Sequence, residues 1–166
     1  HLDAPLHFDE TAAGVEGVSL ARCVGPAEVV GLRVSRGAMT PQDLPRGWVP
    51  STSRVLVRTD SYPLESKIED GFAGLSEDLV HWFADRGVEL LGVDTPSVDI
   101  YESEDLPAHH ALLARDVTWI EGLWLGDVEP GRYFMVALPM LLVDTEAAPV
   151  RAILRPLPLS GAGRTS

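Results

Sequence analysis

Apolar and β-branched residues fall along this chain in short runs separated by Gly, Pro and Ser. Val18–Cys23, Glu28–Leu32 and Arg54–Arg58 have strand length and such borders, and each is read as a strand. After Ser76 the pattern changes to helical spacing. The Ser76 side chain can cap the free amides of the first turn, Leu79, Val80 and Phe83 mark the buried face, and Gly87 supplies a left-handed stop. The next run, Val88–Val93, is almost continuously apolar, the pattern of a strand covered on both faces. Pro107–Ala114 reads as a second helix with Pro in its first turn, and the strand Val117–Ile120 leads from it into Glu121. Thr40–Leu44 starts like a helix, but Pro45 cuts it short. Tyr133–Val143 and Pro149–Leu154 complete the set as late strands. About seven strands against two or three helices predict an α/β protein, a single mixed-sheet domain with a partly closed β-barrel-like core and flanking helices.

With 166 residues, one core suffices, and the domain is expected to span 1–158. The small, polar, Gly-rich end, Ser160–Ser166, points to a flexible tail over 159–166. Asp and Glu outnumber Lys and Arg by 25 to 13, a net charge of −12 that repels phosphate backbones and anionic lipid, so neither nucleic acid nor membrane is an expected partner. No apolar run approaches the roughly 18 residues that cross a bilayer. Cys23, the one cysteine, excludes an internal disulfide; it is read as a buried small hydrophobe in a protein of a reducing compartment, hence cytoplasmic. Glu102, Glu104 and Asp105 read as a solvated acidic loop, and the four tryptophans as core or interface residues with none assigned to a pocket.

Chemistry concentrates at the front of the chain. In His1-x-Asp3-x-Pro5-x-His7, three metal-competent side chains lie within seven residues, and in an extended segment positions 1, 3 and 7 share a face. Pro5 stiffens the backbone, which lowers the entropy lost in holding ligands. Spacing alone equally allows a frayed terminus, a turn-forming Asp and a surface imidazole. Further along, His109 lies on the second helix, and Glu121 leaves a buried strand, where its carboxylate needs a metal or an arginine to offset desolvation. His109 and His110 point about 100° apart, so one of the two faces a site; spacing does not choose between them.

The segments His1-Leu2-Asp3-Ala4-Pro5-Leu6-His7-Phe8, Gly92–Asp99, Leu106-Pro107-Ala108-His109-His110, Ile120-Glu121-Gly122-Leu123, Gly131-Arg132-Tyr133 and Ala148–Ala152 together resemble the bacterial kynurenine formamidases, within the metal-dependent cyclase-like hydrolases. The resemblance runs in order from His1 to about Arg155. It implies a swivelling β/β/α fold and a site for two zinc ions, with manganese also acceptable. In that site His1 would ligate the first ion, His109 the second, and Asp3 and Glu121 would bridge both. His7 would carry the catalytic proton, and His110 would bind no metal. The implied activity is that of an arylformamidase of tryptophan breakdown. By that resemblance, metal-activated hydroxide would attack the formyl carbonyl of N-formyl-L-kynurenine, giving L-kynurenine and formate, in an expected homodimer. The loop Asp94–Asp99, with its rigid Pro and small hydroxyls, suits the wall of the small-molecule pocket. The family motif reads His-x-Gly-Thr-His-x-Asp-x-Pro-x-His, and this chain begins at its second histidine, so one ligand and a preceding N-terminal strand are expected outside it. Two other readings stand beside the first: a related cyclase-like amide or ester hydrolase such as an isatin hydrolase, and an inactive truncated homologue.

Overall fold

Short apolar strands that bury both faces pair in parallel, and four of them form the centre of this protein. In the computed structural model, which describes residues 1–157, these are β2 (Val24–Gly31), β4 (Arg54–Arg58), β6 (Leu90–Val93) and β7 (Thr118–Ile120), adjacent in that order and all parallel. Antiparallel strands extend both sides. β8 (Gly131–Val136) and β10 (Ile153–Pro156) lie beyond β2, while β1 (Leu2–Asp3) and β9 (Ala147–Ala148) lie beyond β7. The eight strands curl into a half-barrel within a single mixed α/β domain, as expected. A second, two-stranded parallel sheet joins β3 (Gly37–Met39) to β5 (Ala73–Leu75).

Alternation along each strand divides the core in two. Val55, Val57, Leu91, Val93 and Trp119 face the helices α2 (Glu77–Ala84) and α3 (Pro107–Ala114), packing on Leu79, Phe83, Ala108 and Leu112. Leu56, Leu90, Ile120, Leu2 and Met135 pack on the opposite face of the sheet. Both helices start and stop where their sequences indicate: the Leu79 amide donates to Ser76 Oγ at 3.1 Å, and Gly87 adopts φ +77°. Among the described residues, no helix is long and apolar enough to cross a membrane.

Several elements differ from expectation. Val18–Cys23 is not a strand: Leu20–Cys23 forms the short helix α1, and the strand begins at Val24. The Arg54 guanidinium, more than 30 residues away, donates to the carbonyl oxygens of Ala21 and Arg22 and satisfies groups that a one-turn helix leaves unpaired. Cys23 is buried, as read. Tyr133–Val143 is not one strand either, because β8 ends at Val136 and Pro139, with no amide to donate, makes only an isolated bridge to Val150. Pro149–Leu154 is not one strand either: β9, which pairs with β1, ends before it at Ala148, and only Ile153 and Leu154 belong to β10, which pairs with β8. At Thr40–Leu44 there is a single 3₁₀ turn, Pro41–Asp43, closed by reciprocal bonds between Thr40 and Asp43. The tail expected over 159–166 lies outside the described residues.

Gly74 marks a tight crossing between the small sheet and the loop after β6. A Cβ there would lie 2.6 Å from Ile100 N and 2.8 Å from Val98 O, both backbone atoms. Gly74→Ala is expected to cost about 1–3 kcal/mol in urea denaturation; an unchanged midpoint would show that this loop shifts freely.

Candidate metal centre

The antiparallel pairing of β1 with β7 sets Leu2 opposite Ile120 and Asp3 opposite Trp119, and continues as the Glu121 amide donates to the His1 carbonyl at 2.9 Å. Strand alternation then puts His1, Asp3, Trp119 and Glu121 on one face. His1 Nε2 lies 3.0 Å from Glu121 Oε2 and 3.6 Å from Asp3 Oδ1. Among the described residues, His1, Asp3 and Glu121 are the one set of metal-competent side chains whose donor atoms all fall within 4.8 Å of one another. Helix α3 packs over the same face and brings His109 Nε2 to 3.1 Å from Glu121 Oε1 and 4.0 Å from Asp3 Oδ2. Each carboxylate therefore turns one oxygen toward each imidazole.

Both carboxylates are buried, so their charge must be compensated locally. Burial, reinforced by the nearby Glu121, raises the Asp3 pKa above the usual carboxylate value. For Glu121 burial acts in the same direction, but hydrogen bonds from His1, His109 and the Val98 amide outweigh it and bring the pKa down to about 2. Burial opposes charge on His109 as well, yet its bonds to Asp99 and Glu121 push its pKa up to about 9. The hydrogen bond to Glu121 raises that of His1. Two buried carboxylates facing two imidazole nitrogens form a donor set that fits divalent ions such as zinc or manganese. The carboxylates are themselves held: Trp119 Nε1 donates to Asp3 Oδ2 at 3.0 Å, and Val98 N to Glu121 Oε1 at 2.7 Å.

His7 stands apart from this cluster. An extended segment would have put it on the face of His1 and Asp3, but Pro5 opens a 3₁₀ turn over Pro5–His7 and carries the imidazole aside. Its Nδ1 lies 3.3 Å from Glu146 Oε2, and its ring centre 6.5 Å from that of His109. Of the two adjacent histidines, the structure buries His109 and leaves His110 exposed. In the loop Asp94–Asp99, Thr95 Oγ1 donates to the Ser97 carbonyl and Asp94 accepts from the Thr59 and Asp60 amides, so most of its polar groups hold the loop itself. Pro96 does line a cavity of about 450 Å³ beside His1, together with Tyr62, Leu64, Leu123 and Trp124. Trp124, read with the other tryptophans as a core or interface residue and assigned to no pocket, is exposed and forms part of this wall, and Tyr62 was not singled out in the sequence. Nothing in their local pattern separates a pocket-lining aromatic from a core one.

A family model described as "Putative cyclase" matches residues 1–100. The chain is 42% identical over 159 residues to a kynurenine formamidase from Salinibacter ruber, covering 95% of this chain and 75% of that protein. A solved structure described as a potential metal-dependent hydrolase with cyclase activity superposes with a TM-score of 0.78 at 34% identity, over 92% of this chain and 75% of the other. An isatin hydrolase from Labrenzia aggregata shares the fold, with a TM-score of 0.75 at 18% identity over 92% and 70% of the two chains.

The site sets a pH window for the metal-free fold. The raised His109 pKa stabilises the fold fully below the free imidazole value of 6.5, and this contribution disappears as pH climbs through about 9. The lowered Glu121 pKa stabilises it above 4.5, and that contribution disappears as pH falls through about 2. Thermal melts in chelator should therefore peak between these values, with Tm falling on both sides. A flat Tm from pH 6.5 to 9 would contradict the assignment.

Proposed function

The chain belongs to the cyclase family, and on that footing we propose that it is a metal-dependent arylformamidase that hydrolyses N-formyl-L-kynurenine to L-kynurenine and formate. The observation that carries the reading is the convergence of His1, Asp3, His109 and Glu121, with each carboxylate divided between the two imidazoles, in a relative of kynurenine formamidases. In this reading, His1 and His109 would each hold one zinc ion together with the carboxylates of Asp3 and Glu121; manganese would suit the same donors. When bound, such ions supply a water that ionises near neutral pH and positive charge for a developing oxyanion.

The chain's own groups do the rest. Trp119 and the Val98 amide keep the two carboxylates from rotating, so their oxygens stay divided between the imidazoles. The cavity walled by Tyr62, Pro96 and Trp124 receives the aryl ring and leaves the formyl group at His1. His7 gives a proton to the aniline nitrogen as the C–N bond breaks. Glu146 at its Nδ1 orients the ring, and partial exposure lets the imidazole regain a proton from solvent. Exposed Leu141 and Val143 supply apolar surface for a homodimer, and the lone buried Cys23 accords with a cytoplasmic location.

The direct test incubates the zinc-loaded protein with N-formyl-L-kynurenine and follows kynurenine absorbance. Ring opening of isatin with N-formylkynurenine left intact would move the substrate elsewhere. Elemental analysis of two variants separates the site roles: Glu121→Gln should lose most of the bound metal while His110→Gln keeps it, and equal retention would sink the bridging assignment. His7→Ala should retain full metal content and lose about 10²–10⁴-fold in kcat. Metal loss in that variant would make His7 a ligand.

A further inference from the structure

Helix α3 begins without a cap of its own. Its N-cap residue, Leu106, sits in the left-handed region at φ +46°, and its side chain has no acceptor to offer the first amides. The acceptor comes from Asp99, buried in the loop after β6. Asp99 Oδ1 accepts from Ala108 N at 2.9 Å, and Oδ2 accepts from His109 N at 3.1 Å. The same Oδ2 lies 2.7 Å from His109 Nδ1. The loop that carries Asp99 has little room to adjust: Leu75 N donates to the Val98 carbonyl at 2.6 Å, Ser97 Oγ accepts from the Asp99 amide, and the loop backbone crosses Gly74 where no Cβ fits.

We propose that Asp99 is a positioning residue that fixes the tautomer of His109, keeping the ring proton on Nδ1 and the Nε2 lone pair free for a metal. An ionised carboxylate only accepts hydrogen bonds, so an imidazole bonded to it through Nδ1 must carry its proton there. A neutral imidazole has one such proton, which leaves Nε2 as the donor atom, and Nε2 is the nitrogen that faces Glu121 and Asp3. Because one carboxylate serves both the ring and the helix amides, the start of α3 and the direction of the His109 lone pair are set together. The inference rests on the reading that His109 holds metal.

Asp99→Asn keeps the shape but offers one acceptor atom where two are used. It must either abandon the Ala108 amide or turn a donor toward the ring. Zinc affinity, measured by competition with a chromophoric chelator, should fall about 10–100-fold. His110→Gly, an exposed mid-helix substitution that weakens α3 without touching the ring, should leave zinc affinity within about twofold while lowering the metal-free Tm. If Asp99→Asn and His110→Gly shift Tm alike and both bind zinc as the parent does, Asp99 is only a cap and the proposal fails. A second measurement needs no variant at Asp99. In the ¹¹³Cd-loaded, ¹⁵N-labelled protein, His109 should couple to cadmium through Nε2 and carry its proton on Nδ1; cadmium coupling through Nδ1 would overturn the assignment. His109→Ala keeps the two ideas apart: parent-like zinc stoichiometry in that variant would refute His109 as a ligand, whereas metal loss there with unchanged affinity in Asp99→Asn would refute the tautomer role alone.

Discussion

The backbone pairing of β1 with β7 decides which side chains meet at the site. With Leu2 opposite Ile120, the two apolar residues enter the core together, and His1, Asp3, Trp119 and Glu121 turn the other way. A slip of one residue would exchange the sets, burying an imidazole and a carboxylate among Leu56, Leu90 and Met135 while sending Leu2 into the site. The apolar residues thus enforce the placement of the polar ones, since the cost of burying Asp3 in a hydrocarbon environment exceeds anything the wrong register could recover.

Once placed, the carboxylates impose the next constraint. Two buried acids near each other cannot both ionise without cations at hand, and the structure places His1 and His109 at those positions, drawn from parts of the sequence more than a hundred residues apart. The surrounding groups share this work of holding negative charge. Trp119, a core residue by volume, gives its indole N–H to Asp3, and Val98 gives its amide to Glu121. Packing and electrostatics are therefore carried by the same atoms around this site.

Much of this was legible in the sequence where a local rule controls the outcome. Arg54–Arg58 and Pro107–Ala114 have the bounds that their patterns indicate, and Ser76 and Gly87 cap the helix they flank. The pattern failed where a distant contact or a single Pro took over, as at Val18–Cys23, held helical with Arg54 on its carbonyls, and at Pro139, which interrupts an otherwise strand-like run. β3 and β5 were missed because Gly37–Met39 and Ala73–Leu75 are three residues each and carry no β-branched side chain. At the site, His1, Asp3, His109 and Glu121 were visible as residue types, but His7 was expected on their shared face and is displaced to its margin by the turn at Pro5, with its ring centre 6.5 Å from that of His109. Asp99 was legible only as part of a loop, since nothing in spacing reveals that it reaches a helix eight residues further on.

Asp3 on β1 meets His109 and Glu121 across the site. Any ion shared by Asp3, His109 and Glu121 would tie β1 to a helix and a strand end more than a hundred residues later in the chain, closing a long loop. In polymer terms an occupied centre would be a cross-link as well as a reactive group. Its occupancy would restrict the unfolded ensemble much as a disulfide does, in a chain whose single cysteine can form none within itself.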